Sequence, residues 1–432
     1  FEDVTKLDLS QFILWYQQAG TPILSVSERW RNNYLKLLFH QEIPDTPGQS
    51  NKKPHLIPVD MSLLDKNSGE IIHSENLKLN QKKEEFIFGP YNERPVPSLL
   101  RNFSAPVILK QKVEKERLAF IFEYDTDSFN RWDAGRKLCE NSLFSMISES
   151  ALPDNLYLNS LRKLIRDDTL DPAFRALTLS LPSQDEITQK CLDNGVIPDP
   201  MAIYRSIETL SLTISDHLKP DFEDIYKNYT INEDYKADAT QSAYRALRNR
   251  ALSFLAYQDG AFLAKIQAAD AQNMTDQLSA FSTVIKHNPS SEHVKLFYDQ
   301  WKHERLVIDK WFSAQVLTAH PNSLNKVVHN LTTHSDFSIT TPNRVRSILG
   351  AFSANTAGFH LETGDNYKLF SDWILKVDPV NPQVAARMCS AFETWKRYDP
   401  KRQNLIKSQI NKILDAKSVS KDTREMLSRL II

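Results

Sequence analysis

The sequence predicts a multi-domain, mainly α-helical protein in which a small β-sandwich precedes a large helical superhelix. Its 432 residues exceed the ~250–300 residues at which single hydrophobic cores stop growing, so more than one folding unit is expected. Nine of the 21 prolines fall within residues 21–110, where apolar and polar residues alternate as in half-buried strands. From about residue 113 only six of the 10 glycines remain, and apolar residues recur at helical spacing to the end.

The composition is that of a protein that folds in water. Hydrophobic residues make up 41% and charged residues 25% of the chain, which argues against disorder. Lys and Arg number 53 and Asp and Glu 54, so the balance favours neither a nucleic acid nor a membrane as partner. No apolar run reaches the ~18 residues of a membrane-spanning helix. The three cysteines, Cys139, Cys191 and Cys389, form no Cys-x-x-Cys pair, which favours a reducing, cytoplasmic setting.

Residues 1–20 are predicted to hold one short helix, from about 8 to 19, that ends at Gly20. Its apolar side chains surround much of its circumference, so we expect it to expose apolar surface that another part of the protein covers. These side chains are Phe12, Ile13, Trp15 and Tyr16. The first residues contain neither Met nor signal-peptide features, which predicts a chain cut from a longer protein.

Residues 21–112 are predicted to form the β-sandwich from six or seven short strands. In two of the predicted strands, apolar residues occupy every second position. The first set is Leu35, Leu37 and Phe39, and the second is Ile57, Val59, Met61 and Leu63. The polar stretch 45–54 separates these strands, and the loop from Asp65 to Gly69 is typical of a hairpin. A module of this kind is more often a spacer or a binding domain than a catalytic one.

Residues 113–432 are predicted to form a superhelical stack of helical hairpins, similar to HEAT or armadillo repeats but without a strict sequence period. Helix starts are marked by a capping residue followed by proline, because the cap accepts from the free N–H groups of the first turn and proline has no N–H to leave unpaired. Five such starts are Asp171-Pro172, Asp199-Pro200, Thr341-Pro342, Asn381-Pro382 and Asp399-Pro400.

No catalytic signature is visible in the chain. Phosphate-binding glycine loops and the Gly-x-Ser-x-Gly elbow are absent from the sequence. The nearest approach to a zinc helix, from His303 to Val307, has Val where the second His ligand should stand, which favours a surface His-Glu pair. Basic residues concentrate near the end of the chain and form either solvated helix faces or an anion-binding wall; they are Arg344, Arg346, Arg387, Lys396, Arg397, Lys401 and Arg402.

An ordered set of segments resembles the C-terminal part of the zinc aminopeptidase N family, most closely its bacterial alanyl aminopeptidase branch. The resemblance covers nearly the whole chain and is carried by Trp15-Tyr16-Gln17-Gln18-Ala19-Gly20-Thr21-Pro22, Val96-Pro97-Ser98-Leu99-Leu100, Phe103-Ser104-Ala105-Pro106-Val107, Phe129-Asn130-Arg131-Trp132-Asp133-Ala134, Asn273-Met274-Thr275-Asp276, Asp309-Lys310-Trp311-Phe312, Thr341-Pro342-Asn343-Arg344-Val345-Arg346-Ser347, Asn381-Pro382-Gln383-Val384-Ala385-Ala386-Arg387 and Lys396-Arg397-Tyr398-Asp399. Each motif alone is weak, but the set in this order is specific.

The resemblance implies a four-part parent enzyme, of which this chain would contain the last helix of the catalytic domain (1–20), the β-sandwich (21–112) and the helical domain (113–432). The parent would be a zinc-dependent aminopeptidase that removes N-terminal residues from peptides in the bacterial cytoplasm. The family's His-Glu-x-x-His motif has no counterpart here. The resemblance therefore implies that zinc is bound by the parent's catalytic domain, and that this fragment has no metal site, no catalytic residue and no activity of its own.

The resemblance also implies a role for the fragment and three substrate-binding residues. The helical domain would close over the active-site cavity and control peptide access, with the N-terminal and catalytic domains of the same chain as its partners. Gln383 would line the pocket for the first side chain, while Arg387 and Arg346 would stand near the far end of the peptide. Gln383 and Arg387 are four residues apart after the Asn381-Pro382 start and share one helix face. The alternative is a non-enzymatic helical scaffold that binds proteins through its concave face.

Overall fold

The structure is a computed structural model that describes residues 2–431. These residues form two compact units. The first extends to Cys139 and includes Asn155–Asp167, and the second comprises Glu140–Asp154 and the chain from Asp168 onward. The domain limits at residues 20 and 112 stay predictions.

The first unit contains the β-sandwich. Its strands are β1 Ile23–Arg31, β2 Tyr34–Glu42, β3 Ile57–Leu64, β4 Ile71–Leu79, β5 Lys83–Phe88, β6 Val96–Leu99 and β7 Ile108–Gln111. One sheet has the order β5-β2-β1-β7, in which β1 and β7 run parallel and the other pairs antiparallel. The other sheet has the order β4-β3-β6 and is antiparallel throughout. Within residues 2–431 the chain therefore has seven strands, as the turn chemistry predicted.

The predicted strand parities are confirmed. Leu35, Leu37 and Phe39 in β2 are all buried, and their neighbours of the other parity are more exposed. In β3 the residues from Ile57 to Leu63 that share one parity are likewise buried. These side chains form one core cluster with the inward residues of both sheets. Alternate residues face opposite sides of a sheet, so the sequence period alone decided which side is buried.

The predicted helix from 8 to 19 is wrong in its extent. Only α1 Glu2–Thr5 and α2 Leu14–Gln17 are α-helical in this region. The reason is competition for hydrogen bonds: the Asp8 side chain accepts from the Ser10 N–H at 2.9 Å, and the Gln11 amide donates to the Asn80 carbonyl at 2.6 Å. Such side-chain bonds offer the backbone an alternative to a continuous helix.

The apolar side chains of this segment divide into two groups. Trp15 packs against the sandwich core and donates from its indole nitrogen to the Leu56 carbonyl at 2.9 Å. Phe12, Ile13 and Tyr16 are exposed, Tyr16 by 80%. The expected exposure of apolar surface is thus confirmed for three of the four side chains.

Three helices complete the first unit, wholly or in part: α3 Lys115–Tyr124, α4 Ser128–Ser148, which continues into the second unit, and α5 Asn155–Arg166. Buried ion pairs connect the first of them, and the residue that follows it, to the sandwich. Glu28 of β1 accepts from Arg117 of α3 at 2.6 Å, and Asp125, which follows α3, accepts from Arg101 at 2.5 Å. A buried charge is stable only when it is paired, so these contacts orient the helices against the sandwich.

The remaining helices belong to the second unit. They are α6 Pro172–Thr178, α7 Gln184–Asp193, α8 Pro200–His217, α9 Lys219–Asn228, α10 Ala239–Asp259, α11 Phe262–Asp270, α12 Met274–His287, α13 His293–Trp301, α14 Arg305–Thr318, α15 Leu324–Thr332, α16 Pro342–Val345, α17 Ala351–Ala354, α18 Thr356–Phe359, α19 Asp365–Val377, α20 Pro382–Met388, α21 Pro400–Asp415 and α22 Lys421–Leu430. A π-helical turn, Arg346–Gly350, joins α16 to α17.

The five predicted helix starts are confirmed, since α6, α8, α16, α20 and α21 each begin at the proline of the motif. Four of the preceding residues cap the helix with their side chain, and Thr341 does not. A core rich in aromatic residues lies beneath the last of these helices. Phe359 is central to it and contacts Phe352, Phe370 and Phe392 with ring centroids 5.2–6.2 Å apart.

Candidate functional site

The three residues that the resemblance selects, Gln383, Arg387 and Arg346, line one cavity of about 850 Å³ in the second unit. We call it the arginine cavity. Its walls come from the start of α7, from the chain between α16 and α18, and from α20 with the turns that follow it. The volume lies within the ~300–1,000 Å³ range of small-molecule sites.

Helix α20 presents two of these residues on one face. Asn381 caps the helix by accepting from the Val384 N–H at 3.1 Å, and Ala385 is buried against the core. Gln383 and Arg387, one turn apart, are consequently exposed on the cavity side. The helix is only seven residues long and its cap is used internally, so the helix end adds little to the site.

Arg346 reaches the cavity because the helix changes its winding at this residue. The π-helical turn begins at Arg346, two residues after the buried Arg344. Arg344 pairs with Asp309 at 3.0 Å and lies over the Phe312 ring, whereas Arg346 is exposed and donates to the Asn343 side chain. π-helical turns are often found at functional sites, since they turn a side chain away from its regular position.

The unpaired charge at the cavity is positive. Within residues 2–431 the Arg387 guanidinium has no hydrogen-bond or ion-pair partner, and Arg346 has no acidic one. The acidic residue on the described lining, Asp185, already accepts from Arg397 at 3.0 Å. Two guanidinium groups without a carboxylate can bind an anionic group, and a carboxylate fits the fork of an arginine.

The floor of the cavity contains a buried histidine. His360 contacts the Tyr367 hydroxyl through Nδ1 at 2.9 Å and stacks on Tyr398 with centroids 4.1 Å apart. Burial, with a smaller contribution from the Arg402 guanidinium, lowers the pKa of His360 to about 3. The ring is therefore neutral near pH 7 and offers hydrogen bonds without adding charge.

A family model described as a domain of unknown function with ARM repeats, DUF3458_C, matches residues 115–431. The chain belongs to the DUF3458_C family. A companion model, DUF3458, described as an Ig-like fold, matches residues 20–112. Together they confirm the predicted fold class, a β-sandwich followed by an armadillo-like helical domain.

The relatives of this DUF3458_C chain are aminopeptidases. Aminopeptidase N of Escherichia coli K12 is 33% identical over 451 residues, and that of Caulobacter vibrioides is 33% identical over 443. All of this chain is covered, but only 51% and 50% of these relatives. A solved structure, Legionella pneumophila aminopeptidase A in complex with aspartic acid, has a TM-score of 0.85 and 27% identity, over the whole of this chain and 51% of that one. The chain thus spans about half the length of the curated relatives it matches and corresponds to the C-terminal half of aminopeptidase N homologues, as the resemblance indicated.

The described residues of this DUF3458_C chain do not fit the zinc ion that the resemblance implies for the parent. His303 and Glu304 are exposed and precede α14, so they do not share a helix face. Across residues 2–431 no three His, Cys, Asp or Glu side chains lie close enough together to hold a metal. The three cysteines are buried, and burial raises the pKa of Cys389 to about 12, which makes this thiol a poor metal ligand.

None of the helices within residues 2–431 has both the length and the apolar character that crossing a membrane requires.

Sequence reasoning missed two groups on the cavity lining. His360 gave no signal, because its burial depends on Tyr398 and Arg402, which are distant in sequence. Gln184 has a buried Oε1 atom with no hydrogen-bond partner among the described residues. The capping box of Ser183 and Glu186, which starts α7, was a visible signal that could have drawn attention to this turn.

Proposed function

We propose that this chain forms the closing wall of the substrate cavity of an aminopeptidase and controls the access of peptides to it. The observation that carries the proposal is the convergence of Gln383, Arg387 and Arg346 on one cavity with unpaired positive charge. The aminopeptidase relatives support the substrate class, and the Legionella structure has an amino acid, aspartic acid, as its ligand. The parent would be a zinc enzyme whose metal activates water at the peptide carbonyl and is held outside this chain.

In this proposal, Arg387 and Arg346 bind the C-terminal carboxylate of short peptides. Arg387 has its full donor set free, and Arg346 retains donors beyond its bond to Asn343. Gln383 shapes the pocket for the first side chain on the same cavity lining. The exposed side chains of Phe12, Ile13 and Tyr16 form the surface against which the parent's catalytic domain packs.

The test is a kinetic comparison in the full-length enzyme. Arg387→Ala should raise KM for di- and tripeptides by a few-fold, up to about fivefold, since a charge contact at a solvated cavity is worth ~1 kcal/mol or less. Turnover of uncharged aminoacyl arylamides should barely change, because these substrates have no carboxylate. Gln383→Ala should instead shift the preference among first side chains for both substrate types.

Equal impairment of peptides and arylamides by Arg387→Ala would show that the residue supports the helical domain and does not bind substrate. Arg424→Ala is a matched control, because this exposed arginine is not on the cavity lining and donates only to the Leu414 and Ala416 carbonyls.

The proposal also predicts the behaviour of the isolated chain. It should contain no stoichiometric zinc and should not hydrolyse aminoacyl arylamides, since its described residues do not fit the metal. Elemental analysis and activity assays on rigorously purified chain check this. One zinc per chain, or turnover that persists through purification, would contradict it. For the scaffold alternative, the discriminating observation is a parent gene without a His-Glu-x-x-His motif.

A further inference from the structure

A second cavity, of about 500 Å³, lies elsewhere in the second unit. It is enclosed by the end of α9 with the loop after it, the first turns of α10, the end of α11 and the start of α12. We call it the tyrosine cavity after Tyr226, Tyr229 and Tyr235, which line it. It shares no lining residue with the arginine cavity.

Two arginines of α10 line the tyrosine cavity without an acidic partner among residues 2–431. Arg245 is only 4% exposed and donates to neutral oxygens, the Gln241 side chain at 3.0 Å, the Lys236 carbonyl at 3.2 Å and the Ser242 hydroxyl at 3.4 Å. Its Nε–H has no partner in the described chain. A buried charge without a counter-ion is costly, so its retention beside a cavity points to an anionic ligand group.

Arg248 supplies the more accessible donors. Its Nε donates to the Tyr226 carbonyl at 3.2 Å and its Nη1 to the Gln267 side chain at 2.7 Å. The Nη2 group has no hydrogen-bond partner among residues 2–431. The contacts of Nε and Nη1 fix the plane of the guanidinium, which leaves Nη2 as a preorganised donor at the cavity lining.

The same lining carries carboxylates that are also unpaired. Asp234 and Asp270 have no side-chain partner in the described part of the chain, in contrast to Glu233, which pairs with Lys236 at 2.9 Å. Asp276 is engaged as well, because it accepts from Asn249 at 2.7 Å. The cavity therefore offers free donors on α10 and free acceptors on the loop after α9 and at the end of α11.

Apolar surface lies beside these groups. The Tyr226 ring packs under Arg248 at 4.2 Å and the Tyr235 ring under Arg245 at 4.9 Å. Ile266 of α11 is exposed at the lining. The lining as a whole is mostly polar, with separated groups of opposite charge, and is suited to a small ligand that carries both charges.

We propose that the tyrosine cavity binds a small zwitterion, a free α-amino acid or a dipeptide, whose carboxylate meets Arg248 and Arg245 and whose ammonium group meets Asp270. A simple anion would be repelled by the two free carboxylates, and a simple amine by the two guanidinium groups. A zwitterion satisfies both sets. This site goes beyond the proposed function, and its test requires no turnover.

Isothermal titration calorimetry of the purified chain tests the proposal with four probes. L-Leucine and L-leucyl-L-leucine carry both charges and distinguish the two sources of the ligand. L-Leucinamide lacks the carboxylate, and 4-methylpentanoate lacks the ammonium group. We expect one of the zwitterions to bind at a single site, and each one-charge probe to bind about tenfold or more weakly, as the loss of a charge-assisted contact predicts.

Two variants locate the site. Arg248→Gln should weaken binding of the zwitterion by about tenfold, and Asp270→Asn, at an exposed position, by a few-fold. Arg424→Gln, at an exposed arginine that lines neither cavity, is the matched control and should leave it unchanged. Asp270→Asn keeps the test valid if Arg248→Gln disturbs folding, because the Asp270 side chain makes no hydrogen bond or ion pair in the described chain. The proposal is overturned if neither zwitterion binds at millimolar concentration, if the one-charge probes bind equally well, or if Arg424→Gln abolishes binding while Asp270→Asn does not.

Discussion

The wall of the arginine cavity and the buried layer behind it, which contains Arg344, Arg402 and Phe359, both contain arginines. On the wall the arginines have no acidic partner among the described residues, whereas in the buried layer they form ion pairs. On the wall, Arg346 and Arg387 are exposed and have no acidic partner. In the layer beneath, Arg344 pairs with Asp309 and Arg402 with Asp399, and both arginines are buried. Burial makes pairing obligatory, whereas exposure permits a charge to remain free for a ligand. The comparison indicates that the wall is available for binding and that the layer holds it in position.

The largest expected effect is in the aromatic core of the layer. Phe359→Ala should lower the free energy of unfolding by about 3–5 kcal/mol, because Phe359 is 1% exposed and its loss leaves a cavity among Phe352, Phe370 and Phe392. Urea denaturation measures the change. Phe262→Ala is the control, since Phe262 is 61% exposed and should change stability by less than about 0.5 kcal/mol. Equal effects would mean that the layer does not support the fold as described.

The second prediction compares two arginines of one segment. Arg344→Met should cost about 2–3 kcal/mol of unfolding free energy, less than the ~3–5 of a fully buried pair because Asp309 keeps some solvent contact. Arg346→Met should change stability by less than about 0.5 kcal/mol, since Arg346 is exposed and unpaired with any acid. Thermal or urea unfolding of both variants checks the difference. A larger loss of unfolding free energy for Arg346→Met than for Arg344→Met would contradict the assignment of Arg346 to the wall and Arg344 to the buried layer.

The third prediction concerns pH. The pKa of His360 falls from 6.5 to about 3 on folding, so between these values the unfolded chain binds a proton that the folded chain does not. The contribution of His360 to the free energy of unfolding is therefore fully present above pH 6.5. It decreases by ~1.4 kcal/mol per pH unit as the pH falls toward 3. The groups that face the ring are Tyr367, Tyr398 and the Arg402 guanidinium, and the cation reinforces this direction.

The measurement for this prediction is the slope of unfolding free energy against pH in the parent chain and in His360→Asn. Between pH 3 and 6.5, the slope of unfolding free energy against pH should be smaller in the variant by ~1.4 kcal/mol per pH unit, whatever the absolute stability of the variant. The pKa values of His55 and His287 are also lowered by burial, but their contributions cancel in the comparison. Identical slopes for His360→Asn and the parent chain would refute the assignment.

Much of the fold could be predicted because its signals are local. The parities of β2 and β3 fixed which side of each strand is buried, since side chains alternate across a sheet. Each capping residue followed by proline fixed the start of a helix, because only the first turn tolerates the missing N–H. The prediction for the segment before β1 was wrong, because the Gln11 side-chain amide donates to the Asn80 carbonyl, a partner that no local pattern reveals.

The candidate site was only partly accessible to sequence reasoning. Gln383 and Arg387 follow from the Asn381-Pro382 helix start together with the family resemblance, and their shared face follows from helix geometry. Arg346 could not be separated from Arg344 by sequence, since the π-helical turn and the Asp309 contact decide which of them is exposed. The tyrosine cavity has no sequence signature, because its charges come from different helices and the loop that follows α9.

By itself, the sequence determined the order of strands and helices, the starts of five helices and the relationship to aminopeptidases, since period, caps and motifs are properties of neighbouring residues. The tertiary structure alone decided which charges are paired and which stay free. Asp185 and Arg397 meet although 212 residues separate them, and His360 is neutral because Tyr398 and Arg402 cover it. The physical reason is that burial and pairing depend on long-range packing, which sets the local dielectric and the cost of each charge.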